Sequence, residues 1–310
     1  MPKDRSPRRR TAVLVVVAAA VLSVAVVTTR AEVFGPDDRT VPAAAAPPAA
    51  ESPAAGTASA PPPTAAASGG TGDRSVFTGL AFDTCTAPAL SAMRAWRGTS
   101  PYGAAAVYIG GRNRGCAQPQ LTPSWVAAVS ASGWRLIPLY VGAQPPCRAG
   151  GRAERLTAGT AVGLGAEDGA DAVAAAGALG MEPGSTLYLD VEAYDAADTA
   201  CAAAVLAYTR SFDRAVTSRG YRPGFYGFAA SGAAVIAQAG ADGTPDLPTA
   251  LWYAKYDGAE DTTASFPFAA GLFTGHRRGH QYRVDRRETY GGVTLTVDRN
   301  AWDAPVAVVG

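Results

Sequence analysis

The sequence predicts an α/β fold, an irregular (β/α)8 barrel of the TIM type. Strand-like and helix-like segments alternate from about residue 76 to the C-terminus, as expected of βαβ units. Eight strand-like segments occupy roughly 230 residues, a length at which such a barrel forms one domain. An open doubly wound sheet is the alternative, but no glycine-rich fingerprint follows the first strand, so a dinucleotide-binding fold has little support.

The expected strands are short apolar segments bounded by turn and capping residues. In chain order they cover residues 78–83, 104–110, 134–141, 186–192, 224–228, 250–256, 280–284 and 293–298. The seventh has the weakest pattern, and the chain between the sixth and eighth strands shows little helix. We therefore expect the barrel to be irregular there.

Helix signals lie between the earlier strands. Thr122 is a candidate N-cap, Pro123 occupies the first helical position and Gly133 follows the helix end. The other expected helices cover residues 88–97, 169–179, 199–219 and 229–238. This alternation of helices with strands favours parallel pairing of neighbouring strands.

The N-terminal segment predicts export. Residues 1–10 contain five basic residues and one acidic residue, and residues 12–27 are apolar or small apart from Ser23. A basic head followed by such a run is typical of an export signal or membrane anchor, which we place at residues 1–34. Cleavage is left open. Under either reading the folded part is expected outside the cytoplasm, secreted or anchored at the cell surface.

Residues 35–75 are rich in Pro, Ala, Ser and Gly and predict a disordered linker, because they contain few large apolar side chains. The folded domain is then residues 76–310. The formal net charge of the chain is +1, and its basic excess lies at the N-terminus. No basic face for nucleic acid is therefore expected. We expect a monomer, in contact with the membrane through its N-terminal segment if that segment is retained.

The four cysteines, Cys85, Cys116, Cys147 and Cys201, predict disulfides outside the cytoplasm. Each successive pair follows two neighbouring strands, which favours Cys85–Cys116 and Cys147–Cys201 among the three possible connectivities. A zinc site is the competing interpretation. It is disfavoured because the chain has no CxxC pair and its two histidines lie far along the sequence, so no metal or cofactor is expected.

Four carboxylates fall at or near the ends of predicted strands: Asp83, Asp190, Glu192 and Asp298. Active sites of TIM barrels form at the carboxyl ends of the strands. Asp190 and Glu192 are two residues apart, so both face the same side of their strand, together with Tyr188. Their Cα atoms would be about 6.5–7 Å apart, a range in which two carboxyls can flank one scissile bond.

Clustered carboxylates repel one another, and the usual result is that one of them stays protonated near neutral pH. A protonated carboxylic acid beside an ionised carboxylate is what glycosidic bond cleavage requires. The alternative is that these acids cap helices, bind a cation or pair with arginines. Four of them on one rim favour a functional site.

Aromatic and polar residues near the same strand ends are candidate substrate contacts. Tyr188, Tyr226 and Trp252 offer flat apolar faces, with hydroxyl or N–H groups as polar handles. Lys255 and Gln281 are candidate polar contacts. The alternative for the rings is packing inside the barrel or against its helices, because alternate strand positions face the two sides.

Several short motifs occur in a characteristic order: LAFDTC, AVYIGG, LIPLYVGAQ, YLDVEAYD, GFYGF, LWYAKYDG, HQY and VDRNAWD. In this order the chain resembles the glycoside-hydrolase-like domain of actinobacteria. That domain is similar to the family-25 glycoside hydrolases, lysozyme-like muramidases with an irregular barrel. The resemblance covers nearly all of residues 76–310, and the combination of FDTC with YLDVE is its most specific part.

The resemblance assigns roles by motif. It places Asp83 on the first strand, Trp252 on the sixth and Asp298 on the last. It implies that Glu192 is the proton donor and that Asp190 orients the acetamido group of the substrate or stabilises the charge that develops on it.

The resemblance implies a glycoside hydrolase acting on a peptidoglycan-like polysaccharide of the cell wall. The alternative is a non-catalytic glycan-binding or wall-remodelling module on the same barrel. The sequence departs from the muramidase pattern at three features: FDTC replaces Asp-Val-Ser, His280 replaces a tryptophan before Gln281, and the cysteines are extra. A membrane-tethered spacer would explain the linker but not the carboxylates.

Overall fold

The computed structural model describes residues 75–151 and 153–310. The predicted export segment, 1–34, and all but the last residue of the predicted linker, 35–75, lie outside the described residues. The described chain forms a closed barrel with the strand order β1-β2-β3-β4-β5-β6-β7-β8. This confirms the predicted barrel and excludes the open doubly wound sheet.

The eight strands match the expected positions, with different bounds at several ends. They are β1 (Val76–Asp83), β2 (Tyr102–Gly110), β3 (Arg135–Val141), β4 (Thr186–Val191), β5 (Arg222–Phe228), β6 (Ala250–Ala254), β7 (Arg278–Tyr290) and β8 (Val293–Pro305). Neighbouring strands from β1 to β7 pair in parallel. Their carboxyl ends therefore meet at one rim of the barrel.

Five helices connect the first six strands. They are α1 (Leu90–Trp96), α2 (Pro123–Ala131), α3 (Ala161–Ala178), α4 (Thr199–Thr217) and α5 (Gly232–Ala241). In α2, Thr122 accepts a hydrogen bond from the Trp125 N–H as the N-cap, and proline occupies the first turn, as predicted. The structure has no helix between β6 and β7, so the barrel is irregular where the sequence indicated.

Helix α3 begins eight residues earlier than the sequence predicts, because its first turns contain glycines that mimic a loop pattern. A Cβ atom on Gly165 would lie 2.3 Å from the Tyr208 carbonyl oxygen of α4. Glycine is therefore required for the close approach of α3 to α4. Here tertiary packing outweighs the low helix propensity of glycine.

Strands β7 and β8 differ most from expectation. They form one long antiparallel hairpin, and β8 also runs antiparallel to β1. The reason is the two-residue connection, Gly291 and Gly292, both at positive φ (56° and 76°), which is too short for the crossover that parallel strands need. Asp298 therefore lies within β8, not at a strand end as the sequence suggested.

The inside of the barrel is filled by a few large rings facing small residues. Trp302 packs against Trp252 and Tyr188, with ring centroids 5.2 Å and 5.3 Å away. Ala81 and Ala106, on β1 and β2, belong to the same buried cluster. Alternation of large and small side chains fills the narrow interior of an eight-stranded barrel.

Both predicted disulfides are present. Cys85–Cys116 links the segments that follow β1 and β2, and Cys147–Cys201 links the segment after β3 to the first turn of α4. Both bonds lie next to the rim formed by the carboxyl ends of the parallel strands. Within 75–151 and 153–310, no helix has the length and apolar character needed to cross a membrane.

Candidate active site

The structure brings the four predicted carboxylates to one rim. Asp83 ends β1 and is the register partner of Asp298 on β8. Asp190 is the last residue but one of β4, and Glu192 directly follows that strand. Their charges act on one another: Asp298 raises the pKa of Asp83, while Glu192 and Asp83 raise the pKa of Asp190.

Asp83 is buried, with 2% of its surface exposed. Its Oδ2 accepts hydrogen bonds from Asn300 Nδ2 at 2.7 Å and from Gln281 Nε2 at 3.0 Å. Burial, followed by the negative charge of Asp298, raises its pKa from 3.8 to about 7, although the two amide hydrogen bonds act in the opposite direction. Asp83 therefore titrates near neutral pH.

The two amides around Asp83 are oriented by aromatic donors. Trp252 Nε1 donates to Asn300 Oδ1 at 2.8 Å, and the Tyr226 hydroxyl donates to Gln281 Oε1 at 2.9 Å. Because each amide oxygen is occupied by a donor, each amide nitrogen is directed at Asp83 Oδ2. Oδ2 therefore accepts both hydrogen bonds. When Asp83 is protonated, its proton resides on the other carboxyl oxygen.

Asp190 is also buried, with 3% of its surface exposed, and its Oδ1 has no hydrogen-bond partner among the described residues. Burial raises its pKa well above the usual range, with further increases from the charges of Glu192 and Asp83 and a decrease from Arg148. The environment therefore favours a protonated carboxyl at this position.

Gln144, in the segment after β3, fixes the end of β4. Its Nε2 donates to the Asp190 carbonyl oxygen at 3.0 Å, and the Glu192 N–H donates to its Oε1 at 2.9 Å. One side chain therefore holds the backbone at both carboxylate residues. Gln144 is the last residue of the LIPLYVGAQ motif, but the sequence analysis assigned it no role.

Asp298 is tied to the hairpin. Its Oδ1 accepts a hydrogen bond from the Asp285 N–H at 2.7 Å, at an irregularity in the β7–β8 register. Its pKa is raised by burial and by the negative charge of Asp285, against the effect of that N–H. It therefore contributes charge to Asp83 from the neighbouring strand.

A cavity of about 490 Å³ opens beside the β4 carboxylates, lined by Asp190, Glu192 and Tyr108 among others. Burial raises the pKa of Tyr108, and the charges of the four rim carboxylates raise it further. Tyr108 on β2 thus faces the same cluster, although the sequence analysis did not select it. A cavity of about 510 Å³ lies at the other end of the barrel beside Trp134 and Leu136, away from the carboxylate cluster.

Two of the expected substrate contacts are placed elsewhere. Tyr188 and Trp252 have no exposed surface; both rings fill the barrel interior, and the Tyr188 hydroxyl donates to the Pro305 carbonyl oxygen at 2.8 Å. The expectation of direct substrate contact is therefore corrected for both, because the small residues on β1 and β2 leave space that these rings must fill. Trp252 instead acts on Asp83 through Asn300.

The other expected contacts lie nearer the rim. Tyr226 and Gln281 are buried and position Asp83, while Lys255 forms an ion pair with Asp257 at 2.9 Å. Tyr256 is half-exposed, and its pKa is raised to about 12 by burial and by nearby negative charges that include Asp83 and Glu192. It is a second ring near the carboxylates, besides Tyr108 in the cavity that Asp190 and Glu192 line.

His280 has a structural role. Its ring stacks on Tyr253 with a centroid distance of 4.4 Å, and its nitrogens lie 2.8 Å and 2.9 Å from the carbonyl oxygens of Asp261 and Lys255. It therefore anchors the segment that follows β6. Within the described ranges, no group of three or more His, Cys, Asp or Glu side chains is arranged to hold a metal ion.

The barrel and its rim of carboxylates define a glycoside hydrolase-like domain. The chain matches the family model of the Rv2525c-like, glycoside hydrolase-like domain over residues 94–302 and belongs to that family. No curated protein matches the chain significantly.

Three solved structures are similar to the chain at low sequence identity, and the first of them shows the same fold. The Mycobacterium tuberculosis Tat-secreted protein Rv2525c, in complex with HEPES, has a TM-score of 0.50 and 16% identity, covering 73% of this chain and 96% of that one. An uncharacterised B. stearothermophilus protein has a TM-score of 0.48 and 17% identity over 72% of this chain and 95% of its own. The Clostridium perfringens spore cortex lytic enzyme SleM has a TM-score of 0.45 and 13% identity, covering 73% and 67%.

Proposed function

We propose that the chain is a glycoside hydrolase that acts on peptidoglycan-like glycan of the cell wall. The observation that carries this proposal is the pair Asp190 and Glu192, which line one cavity at the rim while the charge of Glu192 raises the pKa of Asp190. Two carboxyls that repel in this way hold one proton between them. Glycosidic cleavage uses one protonated and one ionised carboxyl.

Glu192 is the proton donor in this proposal. Its side chain is half-buried at the end of β4, whereas Asp190 lies deeper, so the glycosidic oxygen reaches Glu192 first. The proton that Asp190 holds passes to Glu192 and from there to the glycosidic oxygen, so both carboxyls are ionised when the bond breaks and Asp190 lies beside the sugar. There it stabilises the positive charge that develops on the ring or its acetamido group.

The remaining groups set the charge and position of this pair. When ionised, Asp83 raises the pKa of Asp190 and so favours retention of the shared proton, and Asp298 in turn raises the pKa of Asp83. Tyr256 offers an exposed ring face to a sugar, and Lys255 is a neighbouring polar contact.

The proposed site of action is outside the cytoplasm. Two disulfides fit an oxidising compartment, and the family member Rv2525c is described as Tat-secreted. A basic and apolar N-terminus, as in residues 1–34, fits an export signal or membrane anchor. A wall polysaccharide is the partner that such a location would supply.

The test is release of reducing ends from purified peptidoglycan. A general acid contributes about 10²- to 10⁴-fold in rate, so Glu192→Gln should lower turnover by about that factor while glycan binding is retained. Asp190→Asn should also lower turnover, because a neutral amide stabilises positive charge less well. Glu182→Gln, at the opposite end of the barrel, is the matched control and should leave turnover unchanged.

Two outcomes would contradict parts of this proposal. Binding of peptidoglycan without reducing-end release across roughly pH 4 to 8 would favour the non-catalytic binding module. Cleavage that is equally fast in Glu192→Gln would keep the enzyme assignment and reject Glu192 as the acid.

A further inference from the structure

Asp168 is a buried carboxylate in the middle of α3, with 1% of its surface exposed. Its Oδ2 accepts hydrogen bonds from the Ala143 N–H at 3.0 Å and from the Tyr208 hydroxyl. Its Oδ1 accepts a hydrogen bond from Arg112 Nε at 2.9 Å, and Arg112 Nη2 lies 2.7 Å from the same oxygen. One side chain on a helix therefore holds the segments that follow β2 and β3.

The contact with Ala143 leads directly to the carboxylate pair. Ala143 precedes Gln144, whose Nε2 donates to the Asp190 carbonyl oxygen at 3.0 Å and whose Oε1 accepts the Glu192 N–H at 2.9 Å. The hydrogen bond to Asp168 thus fixes the backbone just before the residue that holds the end of β4. A continuous series of contacts runs from α3 to Asp190 and Glu192.

The contact with Arg112 reaches the same residue by a second route. Arg112 forms an ion pair with Glu154, and the Glu154 carbonyl oxygen accepts the Gln144 N–H at 3.0 Å. Arg112 also lines the cavity that contains the carboxylate pair. Asp168 therefore restrains Gln144 both through Ala143 and through Arg112.

The packing of α3 on α4 is provided by small residues on either side of Asp168. A Cβ atom on Gly165 would lie 2.3 Å from the Tyr208 carbonyl oxygen, and one on Gly169 would lie 2.8 Å from the Phe212 carbonyl oxygen. An apolar side chain at position 168 would be buried there at a lower desolvation cost than a carboxylate. What the carboxylate adds is direction, since its two oxygens bind donors from different segments.

We propose that Asp168 is a positioning residue for the carboxylate pair: it fixes the Ala143 amide and, through Gln144, sets the position of Asp190 and Glu192. This inference rests on the proposed function of that pair. Gln144 makes one hydrogen bond to the backbone of each member, so a shift of the segment after β3 moves both. A misplacement of about 1 Å at reacting groups can lower turnover about 100-fold.

Asp168→Asn is the substitution that tests this role, because it keeps the shape of the side chain and replaces one acceptor oxygen by an N–H donor. Whichever way the amide turns, the new donor faces either the Ala143 N–H or the Arg112 guanidinium, which are themselves donors. Asp171→Asn is the matched control. Asp171 lies one turn further along α3 and accepts a hydrogen bond from the Tyr140 hydroxyl of β3 at 2.8 Å.

Hydrogen exchange of the full chain, followed by NMR, measures the positioning without any glycan. The Glu192 N–H donates to the Gln144 side chain, so its exchange rate reports on that contact. Asp168→Asn should accelerate this exchange about tenfold, and Asp171→Asn should leave it unchanged. The Phe225 amide, in the middle of β5 between two paired strands, should exchange as in the wild type and so exclude global unfolding as the cause.

A double-mutant cycle on reducing-end release from peptidoglycan tests the route through Gln144. Asp168→Asn and Gln144→Ala should each lower kcat about tenfold, with little change in KM, because the pair would be displaced from the bond that is cleaved. The double variant should be no slower than Gln144→Ala alone, since residues that act through one another are not additive. Asp171→Asn should leave kcat unchanged.

Tyr208→Phe is a second variant of the same contact, because the hydroxyl it removes lies 3.0 Å from the Ala143 nitrogen and donates to Asp168. It should also accelerate exchange at Glu192, and it decides the question if Asp168→Asn does not fold. Unchanged exchange of the Glu192 amide in the folded variants would overturn the inference. So would losses of kcat that multiply in the double variant.

The proposed function fails separately. If the wild type releases no reducing ends but Asp168→Asn accelerates exchange at Glu192, the positioning of the pair stands and catalysis is rejected. If the wild type cleaves and exchange at Glu192 is unchanged in the variants, the enzyme stands and the role of Asp168 is rejected.

Discussion

Asp83 is the residue at which burial and hydrogen bonding compete most directly. Two amide donors stabilise its ionised form, yet burial and the neighbouring Asp298 outweigh them, so its pKa is about 7. The amides therefore orient the carboxyl more than they keep it ionised. The oxygens of the same two amides accept hydrogen bonds from Trp252 Nε1 and the Tyr226 hydroxyl.

Asp83 makes stability depend on pH. Its pKa is higher in the folded state, about 7, than the ordinary value of 3.8, so the folded state binds this proton more tightly. Its contribution to stability is full below about pH 4 and is lost as pH rises through about 7. Asp83→Asn should make the unfolding free energy vary less with pH. The variation over this pH range should fall by at most roughly 4 kcal/mol.

Urea unfolding from pH 4 to pH 8 measures this effect. The remaining slope in Asp83→Asn should have the same sign, because the pKa values of Asp190 and Asp298 are also raised. Asp242→Asn, at an exposed position after α5, is the control. Parallel curves for wild type and Asp83→Asn would show that Asp83 is already ionised in the folded state.

For individual residues, the sequence predicted the carboxylates but not the side chains that hold them in place. Asp190 and Glu192 follow from period-two alternation along one strand, which is a local pattern. Asn300 and Gln144 lie in quoted motifs, but their roles could not be assigned locally, because they depend on barrel closure and on a loop that folds back to β4. Tyr188 and Trp252 were placed on the correct strands, but whether a ring fills the interior depends on the size of the residues opposite.

The β7–β8 hairpin is the element whose difference from the predicted fold affects the candidate site most. It replaces the last helical crossover, packs on α1 through a hydrogen bond from Trp96 Nε1 to the Val293 carbonyl oxygen, and places Asp298 beside Asp83. The sequence predicted a strand only to residue 298, because the polar residues that follow interrupt the apolar pattern. Those residues remain in β8 because Asn300 faces Asp83 and the strand pairs on both sides.

The turn of this hairpin offers a matched pair of substitutions. Gly291 and Gly292 both have positive φ, but a Cβ at Gly291 would lie 2.1 Å from the Ala95 carbonyl oxygen, whereas none of the surrounding atoms lies within 4 Å of a Cβ at Gly292. Gly292→Ala should cost about 1 kcal/mol in unfolding free energy from backbone strain alone. Gly291→Ala should cost a further 1–3 kcal/mol or so, because the hairpin must move away from α1.

Chemical denaturation of the two glycine variants measures this difference directly. Equal destabilisation by both would contradict the close contact between the hairpin and α1. A larger loss in Gly291→Ala, with a retained barrel by circular dichroism, is the expected result.

At the scale of the whole molecule, closure of the barrel assembles the site. Motifs that are more than 200 residues apart become adjacent, as Asp83 and Asn300 do with a sequence separation of 217. In the closed barrel that the sequence predicts, the first and last strands are neighbours, and Asp83 and Asp298 are register partners on these two strands. It did not predict their antiparallel direction, which is set by the two-glycine turn.

Two disulfides complete this assembly by joining segments at the same rim. Their pairing could be predicted because neighbouring strands place consecutive loops together. Closure of the barrel also forms the cavity that Asp190 and Glu192 line.

The central claim is that this rim cleaves glycosidic bonds by hydrolysis, and oxygen-18 incorporation tests it most directly. Peptidoglycan is digested in H₂¹⁸O, and the saccharide products are analysed by mass spectrometry. The account predicts one oxygen-18 atom at each new reducing end with the wild-type chain, and about 10²- to 10⁴-fold less labelled product with Glu192→Gln. Peptidoglycan that is bound but yields no labelled reducing ends would contradict the account.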